Sequence, residues 1–145
     1  MANVSKLLEN KSKELISVSP DTGVRDAITK MAEKSAGTAL VMDGNELVGI
    51  FAERDFIRKI YLKDKCGKGA KVSEIMSTSL TTVKADTTLE RCMEIMTEKR
   101  IRHLPVLDGD RVVGVVSIGD IVKYMVQEKE FVIKNLQSYI AGPGM

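Results

Sequence analysis

The sequence predicts an α/β fold built from two βαββα units that are related by a pseudo-two-fold axis and packed sheet to sheet. Three observations carry this expectation. Residues 18–60 align without a gap on residues 83–125, at a constant offset of 65. Each copy holds an Asp-Gly turn between two short apolar runs, and each holds one stretch with apolar residues at helical spacing. Twelve of the 43 aligned positions are identical: Val18/Val83, Asp21/Asp86, Thr22/Thr87, Met31/Met96, Glu33/Glu98, Lys34/Lys99, Val41/Val106, Asp43/Asp108, Gly44/Gly109, Val48/Val113, Gly49/Gly114 and Asp55/Asp120. Ordinary residue frequencies would give roughly three.

The elements follow in order. A strand opens each copy, over Leu15–Val18 and Leu80–Val83. Upstream, Val4-Ser5 matches Val72-Ser73 at offset 68, so three extra residues precede the first strand of the first copy. A helix comes next. In the second copy Leu89, Cys92, Met93 and Met96 fall on one apolar face, and Val24, Ala27, Ile28 and Met31 do so in the first. Thr87 and Glu90 have the spacing of a capping box. Two strands then flank Asp43-Gly44-Asn45 in one copy and Asp108-Gly109-Asp110 in the other, because glycine supplies the positive φ of a tight hairpin. Final helices start near Glu53 and Ile118, and the second continues to Ile140 with Val132, Leu136, Tyr139 and Ile140 as an apolar stripe. These readings divide the chain into a first repeat (1–63), a linker (64–71), a second repeat (72–126), and a C-terminal helix with a tail (127–145). One copy is too small to bury its own sheet face. Two copies are expected to share one core and to leave clefts where they meet.

Composition narrows the function. At 43% hydrophobic and 29% charged residues, the chain has the apolar material for a core. Its 22 basic and 20 acidic residues nearly balance, which argues against a nucleic-acid binder, as do only six aromatic rings (three Tyr, three Phe) for stacking. Cys66 and Cys92 form no C-x-x-C pair, and His103 is the only histidine, so no metal centre is expected. No paired catalytic carboxylates stand out, so no enzyme is expected either. The segment Cys66-Gly-Lys-Gly-Ala-Lys71 lacks P-loop spacing, and the Asp108-Gly-Asp110 turn is not a calcium loop. With no export signal and no apolar run near the ~20 residues of a membrane span, the cytoplasm is the expected compartment.

The doubled strand–helix–hairpin–helix order, Ile101-Arg-His-Leu-Pro-Val106 and Gly114-Val-Val-Ser-Ile-Gly-Asp120 together resemble the cystathionine-β-synthase (CBS) domain family over about residues 4–126. The second string matches the family's nucleotide pattern of glycine, two residues, serine or threonine, two residues, then aspartate. Phe51-Ala-Glu-Arg-Asp55 and the tail from Glu130 to Ile140 resemble small proteins made of a CBS pair alone. Nothing resembles the catalytic barrel of inosine monophosphate dehydrogenase, after which some relatives are named.

The resemblance implies a regulatory protein that binds AMP, ADP or ATP, or NADH or S-adenosylmethionine, in the cleft between repeats and passes its state to a partner protein. Asp120 would hold the ribose through its carboxylate oxygens, and Ser117 the phosphate, with Gly119 open to close approach. Arg102 and His103 would reach the phosphate, Arg102 as a planar fork of donors. A phosphate on His103 would make affinity fall as pH rises through that histidine's titration. The adenine would lie near Thr82 and Val83, with Val106 and Ile118 beside it. The first copy keeps Asp55 but has Ala52 in place of the hydroxyl, Glu53 at the helix start, and Gly37-Thr38 in place of Arg102-His103. Arg54 is its one substitute cation, here or reaching across to the other cleft. The sequence thus predicts one good site, chiefly from the second repeat, and one weak site. The family's habit of pairing four repeats in a disk implies a homodimer. The alternative is an interaction module with a vestigial nucleotide site.

Overall fold

The computed structural model describes residues 2–10, 15–61 and 69–141. The chain runs α1 (Val4–Glu9), β1 (Ser17–Val18), α2 (Val24–Glu33), β2 (Thr38–Asp43), β3 (Glu46–Ala52), α3 (Glu53–Asp55) with a π-helical continuation over Phe56–Tyr61, α4 (Val72–Ile75), α5 (Leu89–Lys99), β4 (His103–Asp108), β5 (Arg111–Ser117) and α6 (Ile118–Ala141). The first sheet is ordered β1-β2-β3, with β1 parallel to β2 and β2 antiparallel to β3. The second holds β4 and β5. Both hairpins close as their sequence requires. Gly44 and Gly109 each take φ 63°, and a register shift falls at Val41/Met42 in one hairpin and at Val106/Leu107 in the other, 65 residues apart.

Three local expectations change. The strand expected over Leu80–Val83 is reduced to a single parallel bridge between Val83 and Val106, and the first copy's strand is shorter than Leu15–Val18. The N-cap of α5 is Thr88, whose hydroxyl accepts from the Arg91 amide at 3.1 Å. Thr87 instead accepts from the Lys84 amide at 3.0 Å, as Thr22 does from Ser19 at 3.0 Å, so the conserved threonine closes the turn before the helix.

Among the described residues the buried side chains, Leu40 and Pro105 apart, fall into two clusters rather than one shared core, and each is completed by the other copy's leading helix. Val4 and Leu7 of α1 pack with Val83, Leu89, Cys92, Met96, Leu104 and Ile121. Val72 and Ile75 of α4 pack with Val18, Val24, Met31, Val41 and Phe51. Backbone bonds fix the exchange symmetrically: Val4 N–H donates to Thr87 O at 2.9 Å and Val72 N–H to Thr22 O at 2.8 Å. A helix of six residues and one of four are too short to hold themselves, so docking supplies their stability.

The sheets meet between these clusters. Leu40 (2% exposed) and Pro105, equivalent at offset 65, are buried but belong to neither cluster. Strand alternation turns them away from the helices and toward the other sheet. At the start of the same strands Thr38 Oγ1 and His103 Nδ1, also equivalent, lie 2.9 Å apart. This contact marks the pseudo-two-fold axis.

Helix α6 is continuous from the second repeat to Ala141. Ile121 is buried, while Phe131 (64%), Val132 and Leu136 are exposed. The linker around Cys66, the tail 142–145, and the side chains of Tyr139 and Ile140 lie outside the described residues. No described helix is long and apolar enough to cross a membrane.

Candidate functional site

A cleft of about 550 Å³ opens beside the Thr38–His103 contact, within the range of small-molecule sites. Both repeats build it. The first supplies Gly37, Thr38, Ile50, Ala52 and, from its helical run, Glu53, Arg54, Asp55, Ile57, Arg58 and Lys59; the second supplies Ile101, Arg102 and His103; Ser77, Ser79 and Thr81 form the remaining wall. The hydroxyl wall comes from an irregular segment, turned at Ser79 by a bond of 2.9 Å from Leu80 N–H to Thr78 O, that bridges to both sheets. Ser77 pairs with Ile50 of β3 through bonds of 2.8 and 2.9 Å, and Val83 pairs with Val106 of β4. Residues 77, 79 and 81 all line the cleft.

The start of α3 is organised by Asp55, whose Oδ2 accepts from the Ala52 amide at 2.9 Å. A carboxylate has a second oxygen for a ligand hydroxyl. Arg54 donates from its guanidinium to the Arg100 carbonyl of the other repeat. Lys59 Nζ donates to the Ile75 carbonyl at 3.0 Å. Among the described residues the cations Arg54, Arg58, Lys59 and Arg102 line the cleft with the acids Glu53 and Asp55, a net positive lining suited to an anion.

The structure thus brings Arg54, Asp55, Arg102 and His103 to one cleft. Asp55 and its substitute cation Arg54 come from the first repeat, and Arg102 and His103 of the second repeat lie in the same cleft. Ser117, Ile118, Gly119, Asp120, Thr82 and Val83 do not line this cleft. Ser117 and Asp120 form a reciprocal capping box at the start of α6, with both bonds at 3.0 Å. They stay close to the basic pair: His103 is the register partner of Ser117, and Ile118 N–H donates to Arg102 O at 2.9 Å. Ile118 packs against the second repeat's cluster, the one that includes Leu104 and Ile121, and Val83 is 5% exposed within it. A Cβ at Gly119 would meet only the Ser117 hydroxyl, at 3.7 Å. The counterpart of the Ser77–Thr81 wall on the Asp120 side precedes Ser17, and residues 11–14 there are outside the described set.

Ser77, Ser79 and Thr81 were missed from the sequence. The density of hydroxyls in Ser77-Thr-Ser-Leu-Thr81 is the available signal. A second hollow, about 680 Å³, lies between the hairpin turns and is floored by Leu15, Leu40, Met42 and Val112. Among the described residues its one cation, Arg111, sits with Asp108 and Asp110, so their carboxylates oppose a phosphate there.

Comparison with known proteins agrees with the doubled fold. The CBS domain model matches residues 4–62 and 72–127. The chain is 35% identical over 148 aligned residues to the mitochondrial CBS domain-containing protein CBSX3 of Arabidopsis thaliana, covering 96% of this chain and 72% of that one. The crystal structure of the CBS domain protein NE2398 superposes with a TM-score of 0.82 at 45% identity, covering 86% of this chain and 97% of that one. The structure of CBSX2 in complex with AMP has a TM-score of 0.74 at 26% identity, covering 89% and 99%.

Proposed function

Since the chain belongs to the CBS-domain family, with two copies of the domain, we propose that it is a regulatory sensor that takes an adenine nucleotide, AMP first, into the cleft between its repeats. One observation carries the reading: a single cleft joins an acid for ribose hydroxyls, Asp55, to the cations Arg54, Arg58 and Arg102 for phosphate, drawn from both repeats. The AMP bound by CBSX2 supports the same ligand class. Ser77, Ser79 and Thr81 offer the hydroxyls that Ala52 does not. Ile50 and Ile57 give the adenine apolar surface.

On the opposite side of the axis, Asp120 with Ser117, Gly119 and Ile118, near Thr82 and Val83, forms the second candidate site. ADP, ATP, NADH and S-adenosylmethionine are the competing ligands. The protein acts without catalysis, in the cytoplasm, by changing a surface that a partner protein reads. A ligand shifts such a state only if it prefers one arrangement of the repeats. The exposed C-terminal half of α6 is the surface we assign to a homodimer.

Calorimetry with the five ligands tests this reading. AMP is expected to bind, and Asp55→Ala and Arg102→Ala each to weaken it by about tenfold, the scale of one hydrogen bond to a charged group. No heat from any ligand favours the second reading, an interaction module with a vestigial nucleotide site. Ala52, where the family motif has a hydroxyl, and the exposed apolar side chains of α6 are the observations behind that alternative.

A further inference from the structure

Arg54 has a place in the fold that its sequence position does not reveal. It precedes Asp55 at the start of α3, yet its guanidinium crosses the cleft to the Arg100 carbonyl. Arg100 ends α5 in the left-handed conformation, φ 55°, with its N–H on Met96 O. Arg102, two residues on, lines the cleft. This one bond therefore ties the helix that carries the ribose acid to the segment that carries the phosphate cation. It has no counterpart across the axis. Ser35, at φ 52°, matches Arg100, but the residue that matches Arg54 is Gly119, which has no side chain to reach it.

We propose that Arg54 is a latch between the repeats, released when a phosphate in the cleft takes its guanidinium from the Arg100 carbonyl. This rests on the nucleotide reading of the cleft and adds how binding is transmitted. A carbonyl offers Arg54 one neutral acceptor. A phosphate offers a charged one whose two oxygens match the guanidinium fork, so it competes well for the guanidinium. The exposed Arg100 carbonyl turns to water when released, so the exchange costs little. The phosphate, rather than the adenine, then operates the joint. Adenosine occupies the cleft and leaves the latch closed.

The test uses the full chain with Cys66→Ser and spin labels on cysteines placed at the exposed positions Asp26 in α2 and Glu90 in α5. AMP is expected to shift the label–label distance distribution, and adenosine to leave it unchanged. Arg54→Ala is expected to show the shifted distribution before any ligand is added, and the advantage of AMP over adenosine in affinity to fall by about tenfold. Arg54→Lys, which keeps the charge without the fork, is expected to fall between. If AMP binds but moves the labels no more than adenosine does, or if Arg54→Ala leaves the unliganded distribution unchanged, the latch is wrong and the cleft reading survives. If AMP does not bind the unaltered protein, the cleft reading fails and the release step with it.

Discussion

Adding one methyl group to Gly49 should damage both the fold and the cleft, whereas the same change at its repeat mate Gly114 should be nearly silent. A Cβ on Gly49 would lie 2.5 Å from Met76 Sδ, 3.0 Å from Met76 Cγ and 3.1 Å from the Ser77 carbonyl oxygen. The thioether can swing away, but that carbonyl is held by the Ile50 amide at 2.9 Å. On Gly114 the nearest atoms are the Leu8 methyls, at 2.9 and 3.1 Å. They are the far end of a flexible side chain. Overpacking against fixed atoms costs about 1–3 kcal/mol. Replacing glycine where φ is ordinary returns about 0.4–1 kcal/mol through the unfolded chain. Gly49→Ala should therefore lose about 1–2 kcal/mol, or roughly 2–8 °C in Tm for a domain of this size. Gly114→Ala should stay within about 0.5 kcal/mol. Ser77 opens the hydroxyl wall, so Gly49→Ala should also weaken AMP binding. Urea unfolding of both variants, followed by AMP titration, measures all of this. Equal losses in the two variants would refute the argument that the Ser77 backbone, and not the helix crossing itself, is what Gly49 accommodates.

Other outcomes follow from the same packing. Leu7→Ala should cost about 2–5 kcal/mol in urea unfolding although Leu7 lies in a six-residue helix, because it is 4% exposed in the second repeat's core; a loss below 1 kcal/mol would mean α1 is not docked there. Cys92 is buried and burial holds its thiol above the usual cysteine range, so an alkylating reagent at neutral pH should leave it unmodified until the protein unfolds; rapid labelling of native Cys92 would contradict its burial. AMP at a hundredfold excess over its Kd should stabilise the protein by about 2.7 kcal/mol in thermal melts, and an unmoved melt at saturation would count against cleft binding.

The sequence and the structure agree most where a local rule is enough. The 65-residue offset, the two Asp-Gly turns and the apolar faces of α2 and α5 follow from neighbours along the chain, and Met31, Met96 and Cys92 are core as their spacing requires. Disagreement begins where the choice is between equivalent partners. Val4 and Val72 are marked as equivalent by the repeat, but equivalence does not say which copy each packs upon, because either arrangement buries the same side chains. The exchange of α1 and α4 was therefore illegible, and with it the separation into two cores. The cleft was half legible for the same reason. Arg102 and Asp120 are close in sequence, yet the axis also carries Arg102 to Asp55. Thr81 lines this cleft and Thr82 does not, a distinction that no periodic pattern marks because the segment forms no regular strand.

A co-crystal with AMP tests the central claim most directly. The account predicts the ribose within hydrogen-bond distance of Asp55 and the phosphate among Arg54, Arg58 and Arg102, with Ser77, Ser79 or Thr81 in contact. A nucleotide seated between the hairpin turns beside Asp108 and Asp110, or crystals that take up none at millimolar AMP, would contradict it.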